Sequence, residues 1–369
     1  MQSVMKEALI RAEERANAPP PEPLQVGGFA ADDNELEKIL ASLRTNIKIV
    51  GVGGGGTNTV DRLVESGIVG AELYACNTDA QHLLTVRSPH KILLGRRVTR
   101  GLGAGALPQV GEESAREAEE ELRKALQGAD MVFVTCGLGG GTGTGGAPVV
   151  SQIAHELGAL TIVICTLPFK AEGVIRAENA EYGLEKLRNF ADTVITIPND
   201  KLLELVPRLA LNAAFKVADD VLMRAIKGMT EVITKPGLVN LDFNDIKTIM
   251  KGGGVAMIGL GEGEEDKRAE EAIEEAINSP LIDVDISTAT GCLVNVTGGN
   301  DMTVTEAEQC AEIIQSRISP NARIIWGAAV DPAMQHRMRA LVILTGVKSK
   351  QIFGSRERPA VSGGLEQVR

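Results

Sequence analysis

From Asn46 onward, short apolar runs alternate with longer amphipathic stretches. Residues 47–52, 72–76, 91–94, 131–136, 160–167 and 193–197 are predominantly apolar, most of them rich in Val, Ile and Leu, and each predicts a strand of a buried sheet. Helical spacing fills the intervals: up to Val64 after the first strand, over a charged segment 110–126, and over a long stretch 209–234. That stretch is apolar at Phe215, Val217, Val221, Leu222, Ile226 and Met229. Strands alternating with helices predict an α/β fold, with a Rossmann-like parallel sheet covered on both faces. The long helix suits a spine between domains better than a crossover, and Pro236-Gly237 ends it.

The second half predicts strands at 255–260, 292–297, 323–329 and 341–344, and a heavily acidic helix 264–277 whose charges read as a solvated face. Ahead of the sheet, a helix 5–15 runs into Pro19-Pro20-Pro21, which cannot continue it, and another spans about 36–43. The chain therefore divides into an N-terminal extension 1–45, a larger α/β domain 46–208, a central helix 209–234, a smaller α+β domain 235–347 and a disordered tail 348–369.

Charge removes one class of partner. The net charge is −11 with a pI near 5.1, and no basic stripe offsets it, which argues against nucleic acid. Five scattered cysteines (Cys76, Cys136, Cys165, Cys292, Cys310) lack metal spacing and read as core residues in a reducing cytosol. The four histidines are equally dispersed, so no metal or histidine-based catalytic cluster is visible. No apolar run reaches membrane-spanning length and no signal-peptide h-region is present; the expectation is a soluble, intracellular chain.

The candidate chemistry lies in glycine. Residues 139–146 read Gly-Gly-Gly-Thr-Gly-Thr-Gly-Gly, directly after a buried strand and before a helix. Six glycines in eight residues are costly in backbone entropy unless the backbone has a task. The task expected is to bring N–H groups to phosphate at a helix N-terminus, beside the Thr142 and Thr144 hydroxyls. The first strand ends in Gly51-Val-Gly-Gly-Gly-Gly-Thr-Asn58, which contains the Gly-x-Gly-x-x-Gly dinucleotide fingerprint, and Asp79 stands where a ribose-binding acid would. A Rossmann oxidoreductase is therefore a competing reading. Against it stand a third small-residue loop, Gly101-Leu-Gly-Ala-Gly-Ala106, and the lack of a proton-transfer residue paired with a pocket. Three loops suit a longer phosphate chain. No Gly-Lys-Ser/Thr occurs in them, so the site is not a P-loop and its charge balance rests on amides and a metal ion.

The 139–146 run resembles the tubulin-type signature loop, and residues 46–347 as a whole resemble FtsZ, the prokaryotic tubulin-like GTPase of cell division, leaning towards its archaeal form. The resemblance implies GTP and GDP as ligands, with Mg2+ coordinated mainly through phosphates and water. It puts phosphate contacts at Gly53, Gly54, Gly55, Gly56, Thr57 and Asn58, at Ala104, Gly105 and Ala106, and at Gly139, Gly140, Gly141, Thr142, Gly143, Thr144 and Gly145. Asn77 and Asp79 match the loop that approaches the γ-phosphate and its magnesium; the competing reading is a helix N-cap, which Thr78 or Asp79 would supply equally well. Glu172 and Arg176 match ribose and phosphate contacts. Their spacing alone describes an i,i+4 ion pair in a first helical turn, worth about 0.3–0.5 kcal/mol.

For the base, the resemblance implies Phe215 and Asp219, four apart and so on one helix face, with Asn58 completing the contacts. An aromatic ring stacks on purine, though helical phenylalanines are more often core. A carboxylate accepts from guanine N1–H and its exocyclic amine, a donor pair that adenine lacks. Asp220 is the alternative reader. Asn240, Asp242 and Asp245 match the loop that enters the next subunit's site, where the carboxylates polarise water and the asparagine positions it. Alone, Asp242 reads as a helix N-cap with Asp245 at N3.

Such a division implies head-to-tail filaments of the division ring at mid-cell, with hydrolysis completed between subunits. The partners expected are a second copy of the chain and an unidentified membrane-anchoring adaptor, with no nucleic acid and no direct membrane insertion. A tubulin-like GTPase of another cytoskeletal role and a non-catalytic nucleotide sensor remain as alternatives. The chain departs from bacterial members at its ends: the extension is proline-rich, and the tail lacks a long linker and an apolar-basic terminal peptide.

Overall fold

Strand β1 (Ile47–Val52) is buried at all six positions because it lies inside the sheet with helices on both faces. In the computed structural model, residues 45–205, 211–234, 242–279, 281–282 and 285–347 are described. β1 pairs in parallel with β2 (Ala71–Asn77) on one side and β4 (Met131–Gly137) on the other. β3 (His90–Leu93), β5 (Leu160–Leu167) and β6 (Thr193–Pro198) extend the parallel sheet.

The side-chain alternation of a strand divides the core in two. Ile47 and Ile49 face α1 (Gly53–Glu65) through Val60 and Leu63, and α8 (Leu211–Thr234) through Leu222 and Ile226. Val50 and Val52 face the opposite layer, formed by α4 (Glu119–Leu126), α5 (Thr142–Glu156) and α6 (Val174–Phe190). Short helices α2 (Ala80–Thr85), α3 (Pro108–Glu117) and α7 (Asn199–Leu205) complete this half.

The sheet does not stop at the central helix. β7 (Gly254–Glu264) pairs in parallel with β6 over three residues, then antiparallel with β10 (Arg337–Thr345). β8 (Gly291–Gly298) and β9 (Arg323–Val330) follow, giving ten strands in the order β3-β2-β1-β4-β5-β6-β7-β10-β8-β9. α9 (Phe243–Met250) and α8 cover one face of this second part, and α10 (Arg268–Ile277) and α11 (Val304–Arg317) the other.

Several elements differ from expectation. The helix expected over 110–126 is two helices, tightened at Ala118 by a bond from its N–H to Ala115 O. The start expected at 264 belongs to β7, because Glu264 is in register with Arg337 of β10; helix begins at Arg268. α11, with a capping box of Thr303 and Glu306, has no counterpart among the expected elements. The helices expected at 5–15 and 36–43, the Pro236-Gly237 stop and the tail lie outside the described residues.

Candidate functional site

The strand order reverses between β1 and β4, and at such a switch point the C-terminal strand ends open a crevice. Two helices start there, α1 at Gly53 and α5 at Thr142, and neither has a side-chain cap. Helices α2, α9 and α11 are capped by Asp79, Asp242 and Thr303. The first-turn N–H groups of α1 and α5 therefore stay available for an anion. They border a cleft of about 260 Å3, whose further lining includes Glu172, Arg176, Asn199, Phe215 and Asp219.

The glycines divide by task. A Cβ on Gly54, Gly105 or Gly140 would meet nothing within 4 Å, and all three line the cleft. A Cβ on Gly141 would lie 2.7 Å from Ala104 O, on Gly143 2.5 Å from Gly137 O, on Gly145 1.9 Å from Pro108 O, and on Gly56 2.2 Å from Thr135 O. These glycines let backbones approach; Gly141 and Gly143 also line the cleft, while Gly56 and Gly145 do not. The whole run was expected to face phosphate; Gly56 and Gly145 are packed against neighbouring backbone. Of the two hydroxyls expected there, Thr142 lines the cleft and pairs with Thr78 Oγ1 at 2.7 Å. Thr144 is buried, and its Oγ1 accepts the Gly139 N–H at 2.9 Å, holding that residue at φ 106°.

The loops brace each other. Gly53 approaches Gly143, and Gly141 N–H donates to Gly105 O at 2.7 Å. Asn179 on α6 donates to Ala106 O and Gly139 O at 3.0 and 3.3 Å. After β2, Asn77 Oδ1 accepts the Asp79 N–H at 3.3 Å, and Asn77 Nδ2–H donates to His82 Nδ1 at 3.0 Å. His82 Nε2–H donates to Asn58 Oδ1 at 3.0 Å, a tautomer assigned from these partners. Thr57 donates its hydroxyl to Gly53 O. Asp79 caps α2 by accepting the His82 N–H at 3.0 Å. Thr57, Asn58, Asn77 and Asp79 are not among the cleft's lining residues.

At the other end Phe215, 36% exposed, meets Phe169 edge to face at 5.0 Å between centroids. Asp219 has 17% of its side chain exposed and lies 3.6 Å from Arg62 Nε. Burial pushes its carboxyl up to about 6 against the opposing pull of Arg62. Asp220 instead pairs with Arg224 at 2.7 Å and does not line the cleft, so Asp219 is the carboxylate that faces it. Asn199, 4% exposed, carries an Oδ1 without a hydrogen-bond partner, an acceptor still owed a donor.

Glu172 lies in a single 3-10 turn, Lys170–Glu172, and Gly173 at φ 96° separates it from α6. Its pairing with Arg176 at 2.8 Å thus spans a junction instead of the first turn of one helix. Glu172 also accepts the Phe169 N–H at 2.9 Å. Asp242 caps α9 by accepting the Asn244 N–H at 3.2 Å, Asp245 follows at N3, and both are exposed. Neither lines the cleft. Asn240 lies outside the described residues.

Uncapped helix starts at one end, and an aromatic, a carboxylate and an orphan acceptor at the other, fit a guanine nucleotide. Among the described residues no group of three or more His, Cys, Asp or Glu is placed to hold a metal ion.

The sequence model described as Tubulin/FtsZ family, GTPase domain, matches residues 46–207, and that described as FtsZ family, C-terminal domain, matches 254–348. The cell division protein FtsZ 1 of Archaeoglobus fulgidus is 57% identical over 370 residues, covering the whole of both chains. The chain belongs to the FtsZ family. The FtsZ 1 of Pyrococcus furiosus is 56% identical over 327 residues, 89% of this chain and 88% of that one. A solved structure described as an empty FtsZ dimer from M. jannaschii superposes with a TM-score of 0.82 at 52% identity, covering 85% of this chain and 92% of that one. CetZ2 from Haloferax volcanii, in a GTPγS-bound protofilament, shares the fold at a TM-score of 0.72 and 23% identity, covering 82% and 94%.

FtsZ is a tubulin-like GTPase family of cell division, so this FtsZ-family chain binds GTP and GDP and is not a Rossmann oxidoreductase. Residues at or around the site that escaped the sequence include Arg62, His82, Asn179 and Asn199. Asn199 carried a usable signal, a polar residue at the C-terminal end of a parallel strand near the switch point. The others act through contacts that spacing does not show. No helix among the described residues is long and apolar enough to cross a membrane.

Proposed function

We propose that the chain polymerises head to tail into filaments of the division ring, and that GTP hydrolysis is completed where one subunit meets the next. The observation that carries this reading is the separation of the site's two halves. The cleft holds phosphate and base donors and acceptors, while Asp242 and Asp245 stand exposed on α9 and do not line it. Exposed apolar side chains on the loops and helix start that border the cleft, Leu102, Leu107, Val174 and Ile175, fit a surface that a neighbour covers.

In this reading the N-termini of α1 and α5 hold the phosphates, Arg176 adds charge, Phe215 stacks on the base, and Asp219 with Asn199 reads its edge. Mg2+, held through phosphates and water, supplies charge neutralisation when bound. A neighbour's Asp242 and Asp245 orient and polarise the attacking water, with Asn240 beside them. Loss of the γ-phosphate weakens the contact that favoured assembly, so hydrolysis times the filament. The setting proposed is mid-cell, with a membrane adaptor attaching the filament; a different cytoskeletal cargo is the second reading.

The test is light scattering in GTP and in GDP, with phosphate release followed over a range of protein concentrations. Scattering is expected with GTP, and the rate per monomer should rise with concentration. Asp245→Ala should bind GTP normally and lose turnover by about 100-fold or more. A rate per monomer that stays flat, or equal loss of binding and turnover in the variant, contradicts the reading.

A further inference from the structure

We propose that Arg62 is the positioning residue that keeps Asp219 charged and aimed at the base, so that the choice of guanine depends on a pair formed between α1 and α8. The proposal rests on the GTP reading above and concerns how guanine is told from other purines.

Asp219 stands in the cleft wall near the start of α8, mostly screened from water. The Arg62 guanidinium approaches it from α1, one turn beyond Asn58, with its own side chain 27% exposed. At 3.6 Å the contact is longer than a good hydrogen bond, so the attraction is chiefly between charges. Among the described residues Arg62 is the one cation paired with Asp219. On α1, Asp61 and Glu65 are held by Arg87. On α8, Asp220 is turned to Arg224, and Lys216 is exposed. Across the cleft Glu172 and Arg176 satisfy each other. From α7, Asp200 accepts the Lys170 N–H, and β5 offers the cleft only the uncharged Thr166.

The chemistry makes the charge decisive. An ionised carboxylate accepts from both guanine N1–H and the exocyclic amine. A carboxylic acid turns a donor towards one of those donors and loses the match. Hypoxanthine has no exocyclic amine and forfeits one bond in any case. Burial holds the Asp219 carboxyl at about 6, raised above its ordinary value while Arg62 pulls it down. The charged form is therefore present above that pH and lost below it. Removing Arg62 withdraws the downward pull, so the loss moves to higher pH.

The test measures equilibrium affinity of the full-length protein for GTP and for inosine triphosphate from about pH 5.5 to about pH 8.5, a range that covers a raised carboxylate. The proteins are wild type, Arg62→Met, Arg62→Gln, Arg62→Lys and Asp219→Asn. Arg62 is partly exposed on a helix, and Met and Gln are good helix formers, so α1 should persist. In wild type, preference for GTP should fall as pH drops through about 6. In Arg62→Met and Arg62→Gln the same fall should sit about one pH unit higher, the scale of an opposite charge removed. Arg62→Lys, which keeps the charge, should stay nearer wild type. Asp219→Asn should show little preference at any pH. A Met or Gln profile that superimposes on wild type overturns the role of Arg62 and leaves the guanine reading intact. Full GTP preference in Asp219→Asn overturns that reading itself.

Discussion

The Thr144 hydroxyl is spent inside the protein, on the N–H of a glycine held at positive φ one turn earlier. Valine keeps the shape and removes the acceptor, leaving a buried N–H unsatisfied at a cost of about 1–3 kcal/mol. Thr144→Val should therefore lower the thermal midpoint and weaken GTP binding together, while Thr144→Ser, which retains the oxygen, should restore much of both. Calorimetry with a nucleotide titration checks this, and a Val variant as stable as wild type would remove the hydroxyl from the account. At this scale the sequence indicates which residue types gather but not where they point. Thr142 and Thr144 are two apart and read alike, yet one faces the cleft and the other the interior. Asp219 and Asp220 are adjacent, and only packing against Arg62 and Arg224 separates their tasks. For Asp79 and Asp242 the capping role was legible because an N-cap is a local matter, and the structure contains both caps.

Between elements, glycine marks two different needs that a sequence cannot tell apart. Gly145 lets α5 lie against α3, and a Cβ there would reach within 1.9 Å of Pro108 O. Gly140 faces open space in the cleft. Gly145→Ala should thus cost stability, by about 1–3 kcal/mol or more as an overpacking change. It should also disturb GTP binding by shifting Thr142. Gly140→Ala should leave the thermal midpoint nearly unchanged and still weaken GTP binding, because its methyl enters the phosphate end. Thermal melts with and without nucleotide separate the two; equal midpoints for both variants would defeat the distinction. The parallel strands were legible because burial on both faces favours predominantly apolar runs, as in 47–52, where Lys48 is the one charged residue, and 160–167. The end of β7 was not. Glu262, Gly263 and Glu264 have no strand pattern of their own and are extended because β10 pairs with them. α11 was missed although its Thr303–Glu306 capping box is local, because only Ala307, Cys310 and Ile314 are buried and its apolar stripe is narrow.

Across the whole molecule, one core cluster runs from Ile49 on β1 through Leu222, Ile226 and Met229 on α8 to Ile258, Leu293 and Ile343 of the second part. In a subunit held together in this way the α9 carboxylates stand exposed and apart from its own cleft. In the reading proposed above the second half comes from a neighbour, and a head-to-tail contact supplies it without symmetry. Mixing gives the sharpest consequence. Asp245→Ala has an intact cleft and an incomplete carboxylate pair to lend, whereas Arg176→Ala has a weakened cleft and intact carboxylates. Each alone should hydrolyse GTP poorly at every concentration. In an equal mixture, one of the four possible contacts joins an intact cleft to an intact carboxylate. Activity should then recover to roughly a quarter of the wild-type rate per subunit, provided the contacts form at random. Phosphate release from the mixture, measured against the two variants separately, gives the result directly. If each subunit instead completed its own site, mixing would add nothing, and the two low rates would merely average.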